Sequence, residues 1–179
     1  MKWNLDTTHG AAEFAARHLM ISTVRGRFKK LTGTGETNED GTLESVEMVI
    51  DASSIDTNEP KRDDHLRSPD FLDVANHPTI TFRSTNIRQS GHDITIAGEL
   101  TIRGVARPVT LKGEVTGAVT DPWGNTRAGL TANGKISRKE WGLVWNLALE
   151  TGGVVVSDEV KIFVEVEAVA DQKQASVAA

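Results

Sequence analysis

Ile94-Thr95-Ile96-Ala97-Gly98-Glu99-Leu100-Thr101-Ile102 is the stretch that decides the fold. Ile94, Ile96, Gly98, Leu100 and Ile102 share one side of an extended chain, and Thr95, Ala97, Glu99 and Thr101 share the other. A period of two residues marks a strand with one buried face. The same period recurs on both sides of this segment. Val46, Met48 and Ile50 alternate with Glu47, Val49 and Asp51, and Val160, Ile162, Val164 and Val166 alternate with Lys161, Phe163, Glu165 and Glu167. Shorter runs at 23–35, 79–87, 109–119 and 127–137 predict further strands. Turn sequences separate them: Glu39-Asp40-Gly41, Ser90-Gly91, Asp121-Pro122-Trp123-Gly124-Asn125 and Gly152-Gly153. Strands at this spacing predict an all-β sandwich or barrel.

Two stretches break the alternation. Residues 11–20, Ala-Ala-Glu-Phe-Ala-Ala-Arg-His-Leu-Met, favour a helix when taken alone. Residues 60–74 carry Ser68-Pro69, which reads as a helix N-cap followed by proline at the first helical position. Short helical turns are expected there, linking strands across one end. The 179 residues suit a single domain, 1–170, with 171–179 as a disordered tail of small and polar residues.

Twenty Lys and Arg against 25 Asp and Glu leave a net charge of −5. That balance offers no basic footprint for nucleic acid. No cysteine is present, so disulfides, thiolate metal sites and a cysteine nucleophile are excluded. No apolar run follows Lys2 and none reaches membrane-spanning length, which predicts no secretory leader, no transmembrane segment and a cytoplasmic location.

Catalytic and metal patterns are sparse. His9, His18, His65, His77 and His92 have no close pairing, so no metal site is expected. Asp63-Asp64-His65 sets two acids beside an imidazole, the raw material of a general base. No G-x-S-x-G elbow accompanies it, and a charged, helix-capping loop is the favoured account. Gly33-Thr34-Gly35 lacks the third glycine of a dinucleotide loop and fits a bend in a barrel strand better. Trp141 and Trp145 suit either stacking on a ligand ring or packing at a barrel end, and packing is the commoner role.

Several blocks then occur in one order. The chain opens with Trp3-Asn4-Leu5-Asp6 and His9, then Phe14, Arg17-His18-Leu19, Val24 and Gly26-Arg27-Phe28. The most specific block runs from Ile50-Asp51-Ala52-Ser53-Ser54 through Lys61-Arg62-Asp63-Asp64-His65 to Phe71-Leu72-Asp73-Val74. His77-Pro78-Thr79-Ile80-Thr81-Phe82, Gly98-Glu99-Leu100-Thr101-Ile102-Arg103-Gly104 and Arg138-Lys139-Glu140-Trp141-Gly142 follow. In these blocks the chain resembles the YceI family of lipocalin-like proteins. The positions of Trp141 and Leu143 vary in that family, and many of its members carry a secretory signal, so a periplasmic role is not carried over.

The resemblance implies an antiparallel barrel of about eight strands, with short helices in its connections and a polyisoprenoid or prenyl-quinone tail inside. It also implies a strand around Phe14 and a short helix near 18–21 in place of the longer helix. Phe14, His18, Phe28, Ile50, Phe71, Phe82, Leu100, Ile102, Trp141 and Trp145 are the expected ligand contacts, with His18 the polar one. The head of the lipid is expected near a barrel mouth, beside His or Arg side chains. Binding without catalysis is expected, with the lipid as ligand and no cofactor. A small hydrolase or isomerase using Asp63, Asp64 and His65 is one alternative. A dimeric, stress-related partner-binding protein is another, and a homodimer is a further expectation.

Overall fold

The computed structural model describes residues 1–171. It is a closed, all-antiparallel β-barrel. The strands are β1 (Lys2–His18), β2 (Ser22–Phe28), β3 (Leu31–Thr37), β4 (Leu43–Asp51), β5 (Ile55–Asp56), β6 (Thr79–Ser90), β7 (Asp93–Ile102), β8 (Val105–Val115), β9 (Val119–Thr120), β10 (Thr126–Ser137) and β11 (Val156–Ala170). Each pairs with its spatial neighbours, and β11 returns to pair with β1 from Trp3↔Ala170 to His18↔Val156, which closes the sheet. β2 and β3 lie end to end along β1, interrupted at Lys29 and Lys30, and β4 and β5 follow them in the same broken manner. β8 and β9 likewise lie end to end along β10, and counting each broken pair once gives eight strand positions, a girth at which the interior holds packed side chains or one slender ligand.

Residues 11–20 are not helical: β1 extends through them to His18. The segment is hydrogen-bonded on both sides, to β11 and to β2, and these two ladders outweigh the helix propensity of its alanines. No helix forms near 18–21 either. Leu19 and Met20 both take positive φ, 52° and 59°, and the Ile21 N–H donates to the His18 carbonyl, making a tight hairpin turn.

In the second irregular stretch the helix α1 spans Pro60–Arg67. Glu59 caps it and Pro60 is the proline of its first turn, while Ser68 ends it. The expected start at Ser68-Pro69 is therefore the stop. Pro69 pushes Ser68 into extended backbone, and the Ser68 hydroxyl donates back to the His65 carbonyl at 2.7 Å. α1 is moored by Asp63, 6% exposed, whose carboxylate accepts from the Thr57 N–H (2.8 Å) and hydroxyl (2.6 Å). At the other end of the chain the Asp171 N–H donates to the Lys2 carbonyl at 2.8 Å. Residues 172–179 of the expected tail lie outside the described residues.

Candidate functional site

The inward faces of the strands enclose two cavities. One, of about 210 Å³, lies toward α1 and is walled by Phe14, Ile50, Phe82, Leu100, Ile102 and Ile162, among others. Its charged lining residues are Glu13 and Arg138. Glu13 lies between the inward Ala12 and Phe14, so strand alternation turns its side chain outward. Arg138, 4% exposed, directs its guanidinium to the carbonyls of Leu143, Trp145, Val156 and Ser157. This chamber is therefore dry and apolar. The second cavity, of about 530 Å³, lies at the opposite end and is walled by Trp3, Leu5, Val115, Val166 and the glycines 33 and 35. Its rim is polar, with Asp40, Gln89, His92 and Thr116. The chambers meet at Val46, Met48 and Leu130, which line both.

Local sequence explains the hollow. Ala12 and Ala16, helix formers on paper, are small inward residues of β1 that leave room in the dry chamber. Phe14 lies across Gly26 on the neighbouring strand, where an added Cβ would come 2.3 Å from the ring. Phe82 lies across Gly98 in the same way, at 2.4 Å. Bare glycine backbone is the bed for each ring. In the wide chamber a Cβ on Gly33 would meet the Glu47 carbonyl at 2.8 Å, so that glycine lets β3 and β4 come close.

Of the ten expected contacts, seven line the dry chamber: Phe14, Phe28, Ile50, Phe71, Phe82, Leu100 and Ile102. Three stand elsewhere. Trp141, 1% exposed, is a core residue whose indole N–H donates to the Leu100 carbonyl at 2.9 Å. Trp145 packs with His65 and Phe71, at ring separations of 4.7 and 5.3 Å, as part of an aromatic plug. His18 ends β1 opposite Val156, two residues beyond the inward Ala16 and past a break in register between them. The whole wide chamber escaped the sequence analysis. Its signal was present in Val46 and Met48 on one face of β4 and in Val166 on β11, but a period of two does not say which face turns inward.

Asp63, Asp64 and His65 do not converge on one point. Asp63 holds Thr57, Asp64 pairs with Arg67 at 3.1 Å, and His65 Nε2 meets Asp70 at 2.8 Å. Successive helical residues point in different directions around the axis, so adjacency in sequence separates the three side chains.

Asp6, His9 and Glu167 bring ligand-type atoms within 4.8 Å of one another at the wide end. A protein cation already serves this cluster. Arg127 donates to Asp6 (2.8 Å), to Asp121 (2.7 Å) and to Glu167, tying β1, β10, β11 and the 121–125 turn together. Hydrogen bonds, chiefly from Thr8 and then Arg127, hold the Asp6 carboxyl well below its ordinary pKa, and Arg127 does the same for Asp121. A carboxyl whose folded pKa is depressed stabilises the fold above its unfolded value and loses that contribution as pH falls through the folded one. Asp6→Asn is therefore expected to lower Tm on the order of 3 °C at about pH 7, with the gap to the parent narrowing steadily as pH falls below about 4. Thermal melts across that range check this, and a gap independent of pH contradicts it.

No helix among the described residues is long and apolar enough to cross a membrane. The YceI-like domain model matches residues 3–168. Protein YceI of Escherichia coli O17:K52:H18 is 40% identical over 162 residues, covering 90% of this chain and 82% of that protein. Among solved structures, the Campylobacter jejuni YCEI protein superposes with a TM-score of 0.76 at 26% identity, covering 87% of this chain and 90% of that one. A polyisoprenoid binding domain from Saccharophagus degradans shares the fold, with a TM-score of 0.68 at 16% identity over 94% of this chain and 98% of that one. The family match spans nearly the whole chain, and the protein belongs to the YceI-like family.

Proposed function

We propose that this protein holds a long polyisoprenoid lipid inside its barrel, as a carrier or a store, and acts by binding. The observation that carries this is the dry chamber, whose wall is hydrocarbon and whose one inward arginine is spent on backbone carbonyls. An empty apolar channel forfeits dispersion contacts along its lining, and a hydrocarbon tail restores them. Each buried methylene contributes roughly 0.8 kcal/mol before the cost of ordering the tail, so several isoprene units bind firmly without a polar anchor. The polyisoprenoid-binding domain of Saccharophagus degradans, built on the same fold, supports the same ligand class here.

Native mass spectrometry of freshly purified protein, with solvent extraction, is the test. The expected result is a co-purifying polyprenyl chain or prenyl quinone. A bare polypeptide mass, together with no uptake of added prenyl quinone, would overturn the proposal. Phe82→Asp, which places a carboxylate on the dry wall, is expected to cut lipid retention at least about a hundredfold while the barrel still folds. Undiminished retention in that variant removes Phe82 from the binding surface.

A further inference from the structure

We infer that the ligand carries an uncharged, hydroxyl-bearing head, seated in the wide chamber, and that the barrel discriminates against prenyl phosphates and diphosphates. This rests on the isoprenoid-binding function proposed above and adds to it the identity of the head and its place.

The dry chamber cannot seat a head. Among the described residues it offers no spare polar partner, and a polar group buried without one is heavily penalised. Arg138, its nearest cation, is saturated by four carbonyls and lies 3.6 Å from Asp158. The head therefore sits at the other end.

The wide chamber has polar groups of the wrong sign for phosphate. Among the described residues its lining contains no lysine or arginine, while Asp40 is acidic; Glu47, between the inward Val46 and Met48, turns its side chain out to Arg83 at 3.1 Å and lines the chamber only through its backbone. Arg127, which directly precedes the lining residues Ala128 and Gly129, faces three carboxylates, so that part of the rim is negative overall. Phosphate recognition uses charge-assisted donors, commonly a forked guanidinium. Here the guanidinium at the rim is already enclosed by acids.

Several of the polar groups on the wall are engaged with one another. Gln89 bonds the Leu43 N–H and the Gly91 carbonyl, Thr116 exchanges bonds with Gly129, and the Trp3 indole donates to Thr37. His92 differs. Its Nδ1 lies 2.8 Å from the Val115 carbonyl, and a carbonyl only accepts, so Nδ1 carries the proton. In the neutral ring Nε2 is then a lone-pair acceptor, suited to a hydroxyl donor and repelled by an anionic oxygen.

The test compares geranylgeraniol with geranylgeranyl diphosphate, which share one tail, by calorimetric titration of delipidated protein. The alcohol is expected to bind at least roughly tenfold more tightly. His92→Leu is expected to weaken the alcohol several-fold without weakening the diphosphate. Asp40→Lys is expected to narrow the gap by strengthening the diphosphate. Diphosphate binding equal to or tighter than the alcohol would overturn the head assignment and leave isoprenoid binding intact. An alcohol advantage that neither substitution alters would likewise overturn it. Failure of both compounds to bind would overturn the proposed function itself.

Discussion

Val46→Trp is expected to convert a binder of long tails into a binder of short ones. Val46 lines both chambers, beside Met48 and Leu130, so an indole at this position fills the passage between them. The cavity supplies room for the larger ring, which keeps the overpacking cost within about 1–3 kcal/mol. A tail entering from the wide end then loses the dry chamber. One five-carbon isoprene unit excluded forfeits roughly 4 kcal/mol of gross burial at about 0.8 kcal/mol per carbon, and some of this is offset because the shortened tail is less ordered. A net loss of about a hundredfold in affinity follows for long prenyl alcohols, with little change for tails that stop short of the passage. Titrating a series of prenyl alcohols of increasing length measures this directly. Equal loss at every length, or none at any, would show that the chambers are not one binding path.

Trp141→Ala is expected to be the most damaging single truncation. Trp141 is 1% exposed and belongs to the main core. Removing a buried indole costs about 3–5 kcal/mol through lost contacts and the void left behind. The Leu100 carbonyl also loses its partner. For a chain of this size the melting temperature should fall on the order of 10 °C. Trp141→Phe restores most of the packing but not the hydrogen bond, and should cost markedly less. Urea denaturation of the two variants beside the parent separates these contributions. An alanine variant as stable as the parent would mean that the indole bears little weight. Leu100 also lines the dry chamber, so ligand retention should weaken along with stability.

The strands were legible because their cause is local. Ile94 to Ile102 and Val160 to Val166 alternate as a half-buried strand must, and the barrel buries the apolar set in both. β1 was harder because its conformation is imposed from outside: residues 11–20 read as helix until β11 and β2 claim both of their edges. The sequence resemblance pointed to a strand at Phe14, while the helix expected near 18–21 gave way to a turn with two apolar residues at positive φ. Seven of the residues named from the sequence share the dry wall because alternating strands turn their aromatic and aliphatic side chains inward. Trp141 and Trp145 are aromatic too, yet they come from the 3-10 turn after β10 and the segment beyond it, where no two-residue period fixes direction. Asp6, Asp121, Arg127 and Glu167 were invisible because up to 121 positions separate Arg127 from its partners, and only barrel closure unites them.

The β1–β11 seam has a consequence for when the ligand can enter. The first strand finds one of its two neighbours only in the last, so the wall stays open until nearly the whole chain is available. Pairing of such distant segments is slow, since the intervening chain must be ordered before the contact forms. A growing chain therefore has sheet but no enclosure, and its apolar inner face is exposed to whatever is nearby. Lipid present at that moment can be wrapped as the seam zips shut, whereas lipid arriving later must pass the mouth. Cargo acquired during synthesis and cargo acquired by exchange should then differ in rate of release, with the former held until the seam itself breathes.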